Sequence, residues 1–276
     1  MRRVVAGLLG AGASSAAAEL LRSRFEGPRW QRRNYRNRQV SLLGGIGAAL
    51  GVGMSAAATG GRPGAAAFIA AGSAGLIGAL DDQDTTGTSK GFRGHLRALA
   101  RGEVTTGTAK LVGIAAAGQC AAAIGTQFGA RGRPGRSAAT RGIDVLTSGM
   151  LIAGTANLVN LFDLRPGRGL KVTAAVSAPL AVGHAPGAPL AAGALGVIAG
   201  SWRADLAEEA MLGDAGANSL GALAGTALAL HPSRNLRGGA LGVVLVLTAI
   251  SEKVSFSQVI ERTGPLRALD IWGRRE

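Results

Sequence analysis

Residues 75–110 read GLIGALDDQDTTGTSKGFRGHLRALARGEVTTGTAK. An apolar, small-residue segment stops abruptly at two adjacent carboxylates, Asp81 and Asp82. A polar loop then carries Asp84, Lys90, Arg93, Arg97 and Arg101, and a second apolar segment opens after Lys110. Adjacent carboxylates at the end of an apolar helix repel each other unless solvent or a cation screens them. Magnesium is usually held by one or two carboxylates together with substrate phosphates. The plainer alternative is a solvated pair closing a helix end.

Composition decides what surrounds this stretch. Of 276 residues, 47% are hydrophobic and only 17% charged, with 45 glycines, whereas a soluble domain carries about 25% charged residues. The charges are clustered, which leaves long uncharged runs between them. The one cysteine, Cys120, lies inside an apolar run, so neither a disulfide framework nor a thiolate metal cluster is available. The expectation is an all-α, polytopic membrane helix bundle.

A membrane-crossing helix needs ~20 mostly apolar residues. Nine segments qualify as candidates: 3–21, 40–59, 64–80, 110–129, 143–159, 171–184, 188–203, 215–230 and 237–250. Many are rich in Ala and Gly, residues that let helix backbones approach closely. Ala185-Pro186-Gly187 separates two of them as a hairpin turn. Residues 1–250 are thus expected to form the bundle and 251–276 an amphipathic cytoplasmic tail, with Val254, Phe256 and Ile260 dipping into the interface. The first segment, Met1-Arg2-Arg3 followed by VVAGLLGAGASSAAA, also fits a cleaved signal peptide. Its glycines imitate a dinucleotide-binding turn, but the fingerprint spacing is wrong and no acid follows where a ribose needs one.

Basic residues collect on the cytoplasmic side of membranes. With the N-terminus outside and the C-terminus cytoplasmic, the inner segments hold 21 of the 30 Lys and Arg. The net charge of +14 then points to anionic lipid head groups and an anionic substrate at the inner face. Nucleic acid is the poorer partner, because no basic face is interleaved with aromatics. The same orientation gathers Asp81, Asp82, Asp84, Asp163, Asp205, Glu208, Glu209 and Asp214 at one membrane face.

Two further stretches sharpen this. Asn157, Asn160 and Asp163 recur at three-residue spacing and share one helix face at an inner mouth. Polar groups there face a bundle interior, and an interhelical hydrogen-bond seam is the plain alternative. MLGDAGANSLG, residues 211–221, opens another apolar helix. Its glycines, Gly213 and Gly216 among them, permit close backbone approach, and a helix N-terminus holds phosphate oxygens. Asp214 there suits a metal, or merely caps the helix.

Taken in order, Asp81-Asp82 after a third helix, Asn157/Asn160/Asp163 after a fifth and Met-Leu-Gly-Asp214-Ala-Gly before an eighth resemble the polyprenyl-phosphate sugar-1-phosphate transferases. This is the superfamily of phospho-N-acetylmuramoyl-pentapeptide transferase and the N-acetylhexosamine-1-phosphate transferases (MraY/WecA type). The basic loop before Ser41-Leu42-Leu43-Gly44-Gly45 is similar to that family's first cytoplasmic loop. The resemblance implies a reaction. The phosphate of a polyprenyl-phosphate lipid attacks a UDP-amino sugar, releases UMP and leaves a lipid-linked diphospho-sugar for peptidoglycan or another envelope polymer. It implies Mg2+ or Mn2+ as cofactor, with Asp214 the metal ligand. It also implies Asp81 and Asp82 as the pair that orients or deprotonates the lipid phosphate. Asp163 with Asn157 and Asn160 would surround the nucleotide and lipid phosphate, Lys90 and Lys110 would contact phosphate, and Gly213 and Gly216 would line the site. The location implied is the plasma membrane, active site cytoplasmic, with a homodimer as a further partner.

The chain departs from that family in one respect. The family's His-rich loop after the ninth helix is replaced by SEKVSFSQVIERTGPLRALDIWGRRE, and the three histidines, His95, His184 and His231, fall elsewhere. A catalytically degenerate paralogue that binds lipid-linked precursors or scaffolds envelope machinery is therefore the alternative. A transporter ranks third, because no charged residue lies mid-membrane to couple an ion.

Overall fold

The computed structural model describes residues 1–83, 101, 106–130 and 137–274. Each of the nine apolar segments is helical. They are α1 (Arg2–Phe25), α2 (Leu43–Thr59), α3 (Gly61–Gln83), α4 (Thr106–Ala130), α5 (Ala138–Phe162), α6 (Arg168–Val182), α7 (Ala188–Leu206), α8 (Gly213–Ala229) and α9 (Arg234–Ser251), followed by two short helices, α10 (Phe256–Arg262) and α11 (Gly264–Ile271). Among the described residues, α1, α3, α5 and residues Gly107–Gly125 of α4 are long and apolar enough to cross a membrane. The α9–α10 pair, bent by 95°, makes a fifth if it is counted as one span. Length and composition thus support four or five crossings, fewer than the nine expected above. One reason is that α2 and α8 are each 17 residues long, short of the ~20 that a hydrocarbon core requires.

At the centre stands α8. Every residue of it except Asp214 and Leu228 is buried, as expected of a helix that is apolar all round. Helices α2, α3, α5, α6 and α7 pack around it. Small residues make this possible. A Cβ on Gly221 would lie 2.8 Å from the Ala156 Cα of α5, and one on Gly216 would lie 2.9 Å from the Gly45 Cα of α2. By contrast α1 buries only Ala6, Gly10 and Ser14. That narrow stripe seats it on α2 and α7, where the Ser55 hydroxyl donates to the Ala6 carbonyl at 3.1 Å.

The basic stretch before α2, expected as a loop, contains a small antiparallel hairpin, β1 (Gln31–Arg33) and β2 (Gln39–Ser41). Asn34 closes it. Its side-chain oxygen accepts from the N–H groups of Arg36 and Arg38 at 2.9 and 3.0 Å, and Asn37 takes a left-handed backbone, φ 61°. No apolar alternation announces such a hairpin, because turn chemistry and tertiary pairing make it. Ser41 bridges to the 209–211 segment: its N–H donates to the Glu209 carbonyl at 3.2 Å, and Met211 N–H donates to its carbonyl at 2.9 Å. The hairpin therefore splints the turn that leads into Asp214.

In the C-terminal tail, Phe256, expected to dip into the interface, is half-buried and stacks on Phe162 with centroids 4.7 Å apart. The face it shares is occupied by a buried ion network around Arg168 that α6 presents to the tail.

Candidate functional site

Asp82 and Asp214 meet first through the backbone. The turn Met211–Gly213 bends into α8 with Gly213 at φ +55°, a left-handed conformation glycine adopts without a Cβ clash. A Cβ there would also lie 2.9 Å from Asp82 Oδ2. The Asp82 carboxylate accepts the N–H groups of Asp214 and Ala215 at 2.9 and 3.0 Å. Those are among the free amides at the α8 N-terminus, where a carboxylate is favoured both by hydrogen bonding and by the helix dipole. Asp82 thus caps α8 from another helix. Close approach of α3 is needed for this: a Cβ on Gly78 would lie 2.3 Å from the Asp214 carbonyl oxygen.

Lys110, at the start of α4, reaches between the other two acids. Its Nζ donates to Asp81 Oδ2 at 2.9 Å and also to Asp214 Oδ2. Its side chain is 13% exposed, so these pairs are screened less than surface ones. Three of the four groups expected from the sequence to act together, Asp81, Asp82 and Asp214, are therefore joined by one ammonium and one helix end. The fourth, Asp163, follows the last turn of α5 and is near enough for Asp205, Asp214 and Asp82 to act on its charge. Burial pushes its carboxyl well above the usual carboxylate range. The charge of Asp205 adds to that, while the Gly169 N–H works in the opposite direction.

Of the other expected residues, Asn157 and Asn160 are half-buried along α5 on the approach to Asp163. Gly216 forms the α2 contact already described, one turn along from Gly213. Lys90 lies outside the described residues, as do Asp84 and His95. Asp144 pairs with Arg234 at 2.8 Å and Arg237 at 3.4 Å, near the opposite end of α5 from Asp163.

Asp205, placed by the sequence at this face but given no role, and Arg29 and Arg32, not singled out, also contribute. Asp205 is buried and accepts hydrogen bonds from the N–H groups of Gly167 and Leu212. It ties the Asp163 loop to the turn before Asp214. Its place nine residues upstream of Asp214 was the available signal. Arg32 in β1 donates to the backbone carbonyl of Asp82, and Arg29 donates to the Gln83 amide oxygen at 3.1 Å. Two guanidiniums thereby cap the end of α3, which only the hairpin's folding brings there. A cavity of about 340 Å³ opens beside Asp163 and Asp205. It is bordered by Arg33, Asn34, Tyr35 and Arg165, with the Arg165 guanidinium 4.2 Å from the Tyr35 ring centre.

Whether a divalent cation fits can be judged from the donors. Carboxylates are the hard oxygen ligands magnesium prefers, and Asp81 with Asp214 already flank one cation, the Lys110 ammonium. Among the described residues, no three Asp, Glu, His or Cys side chains are arranged to hold a metal ion. The donor set fits magnesium in kind, with Lys110 standing between its two acids. No family model matches the chain, and no curated protein matches it at a significant level.

Proposed function

We propose that the chain is a membrane-embedded transferase that moves a sugar-1-phosphate from a UDP-amino sugar to polyprenyl phosphate and releases UMP. In this reading all nine apolar helices lie within the bilayer, the N-terminus is outside, and the acids face the cytoplasm at the plasma membrane. The observation that carries it is the meeting of Asp81, Asp82 and Asp214, from helices far apart in sequence, with Lys110 between them and Asp163 close by. Phosphoryl transfer asks a protein mainly for positioning and charge neutralisation. Lys110 would neutralise phosphate oxygens, and Asp82 would hold the α8 N-terminus toward them. Asp163, whose burial favours the protonated form, would share a hydrogen bond with the lipid phosphate. Asp81 and Asp214 would hold Mg2+ or Mn2+, which when bound supplies charge neutralisation to the diphosphate.

The decisive assay combines the purified protein, polyprenyl phosphate and a panel of UDP-sugars, with and without magnesium, and measures UMP. Turnover is expected with one of them and only with the metal. Asp214→Asn is expected to lower it by ~100-fold or more, the scale on which loss of one transition-state charge contact acts, while the detergent-solubilised fold is retained. Unchanged turnover in that variant rejects the assigned role.

One observation favours a second reading, a non-catalytic paralogue that binds lipid-linked precursors. Lys110 already neutralises the two acids that a cation would need. That reading expects no UMP from any UDP-sugar while polyprenyl phosphate is still bound.

A further inference from the structure

The short helix α11 is pinned on one side and bare on the other. Asp270 is buried and receives both Nε and Nη2 of Arg168, at 2.8 and 2.9 Å. Arg274 adds a third donor at 2.6 Å. Arg168 also donates to the Ser257 hydroxyl of α10 at 2.8 Å, and Lys171 donates to the carbonyls of Asp270 and Trp272, both at 2.7 Å. With the Asp270 side thus turned to the protein, helical geometry puts Pro265 and Ala268 on the side away from it, with Leu269 and Ile271 on the flanks, while Trp272, just past the helix, sets its ring edge-on to Trp202 of α7, 5.6 Å between centroids. All four are exposed, Leu269 by 65%. No charged residue falls within that face.

Three observations identify what covers it. The chain turns by 95° between α9 and α10, so the tail leaves the direction of the preceding apolar helix and runs across its end. Helix α9 itself exposes Val243, Leu245, Val246 and Ile250, so the tail follows a helix with an apolar outer surface. The tail carries exposed Lys253, Arg262 and, on α11 itself, Arg267, whereas Glu261 is engaged by Arg165 at 3.3 Å. An apolar helix face accompanied by exposed cations is the pattern of a helix lying in the head-group boundary of an anionic bilayer.

We infer that α11 is a membrane-surface anchor: its Pro265–Ala268–Leu269 face enters the head-group boundary of the leaflet on the Asp163 side. Its opposite face, through Asp270 and Arg168, straps the loop between α5 and α6 to that surface. The loop is the one that carries Asp163, and Arg274 adds a bond to its Pro166 carbonyl at 2.9 Å. This inference stands apart from the transferase reading, because its test measures position and not turnover.

The full-length chain with Cys120→Ser would carry either Ala268→Cys or Gln258→Cys, the latter exposed on α10, each labelled with an environment-sensitive fluorophore. Both would be reconstituted in vesicles of phosphatidylcholine and phosphatidylglycerol. The label at 268 is expected to be blue-shifted, quenched by nitroxide lipids labelled near the head group and shielded from aqueous iodide. The label at 258 is expected to be quenched by iodide. Equal iodide quenching at both positions, with no response to nitroxide lipids at 268, overturns the proposal. Shielding at 268 that appears only at high protein density, with cross-linking between copies, overturns it as well and assigns the face to a second copy.

Discussion

Asp82 accepts the amides of Asp214 and Ala215, so its first role is architectural: a carboxylate from one helix completes the N-terminus of another. Removing such a cap costs roughly 0.5–2 kcal/mol. Asp82→Ala is accordingly expected to lower the thermal midpoint in detergent, and Asp82→Asn, which keeps one of the two accepting oxygens, to recover part of it. Turnover separates this role from chemistry. If Asp82 only positions α8, the Asn variant retains activity in proportion to its stability. If its charge takes part, activity falls while the midpoint is partly restored. Equal midpoints for Asp82→Ala and the parent chain would show that the cap contributes nothing. Asp81 and Asp214 differ from Asp82 in kind, since both spend their charge on Lys110.

Helix against helix, the site depends on how closely α3 can lie on α8. Gly78 permits that approach, because an added Cβ would meet the Asp214 carbonyl oxygen at 2.3 Å. Gly72, on the same helix, faces open space with nothing within 4 Å. The two positions form a controlled pair. Gly78→Ala is expected to destabilise by about 1–3 kcal/mol through overpacking, and to spread Asp81 and Asp82 from Asp214. Gly72→Ala is expected to be neutral or to stabilise by up to ~1 kcal/mol, from helix propensity alone. Thermal unfolding of the two variants side by side checks the claim, and equal midpoints would refute it. The helix spans themselves were legible in the sequence as uncharged runs ending in charge. Which faces of those runs touch was not, because Ala and Gly populate every face and leave almost no periodic contrast to read.

Across the whole molecule, the tail is tied to the bundle by charge. Burial by itself would raise the pKa of Asp270, but the hydrogen bond and charge of Arg168, followed by those of Arg274, hold it below the ordinary value of 3.8. A carboxyl lowered in the folded state contributes stability that is fully present above its unfolded pKa and is lost as pH falls through the folded one. The tail is therefore expected to stay docked from neutral pH down to about 4 and to loosen in stronger acid. The edge-on pair Trp202 and Trp272, 5.6 Å between centroids, offers the readout: a change in tryptophan emission below that pH and not above it. Asp270→Asn is expected to bring the loosening to neutral pH, seen as protease cleavage within 252–263. A tail equally resistant in both proteins would exclude the ion network as its tether.

What the sequence determined by itself is local. Uncharged runs of small and apolar residues form helices because the backbone must satisfy its own hydrogen bonds there. The abrupt appearance of Asp81-Asp82 and Asp163 marks where helices end, and that of Asp214 where one begins. That polar groups from distant parts of the chain belong to one end of a bundle was readable from the order of the breaks. The tertiary structure decided the rest. It put Lys110 between Asp81 and Asp214, made Asp82 the cap of α8, brought Asp205 and Arg32 to the site, and set Phe256 on Phe162 and Trp272 against Trp202. Each depends on the distance between helices not adjacent in sequence. That distance is set where glycine faces meet, at separations a single methyl group would change, and no single stretch of chain encodes it.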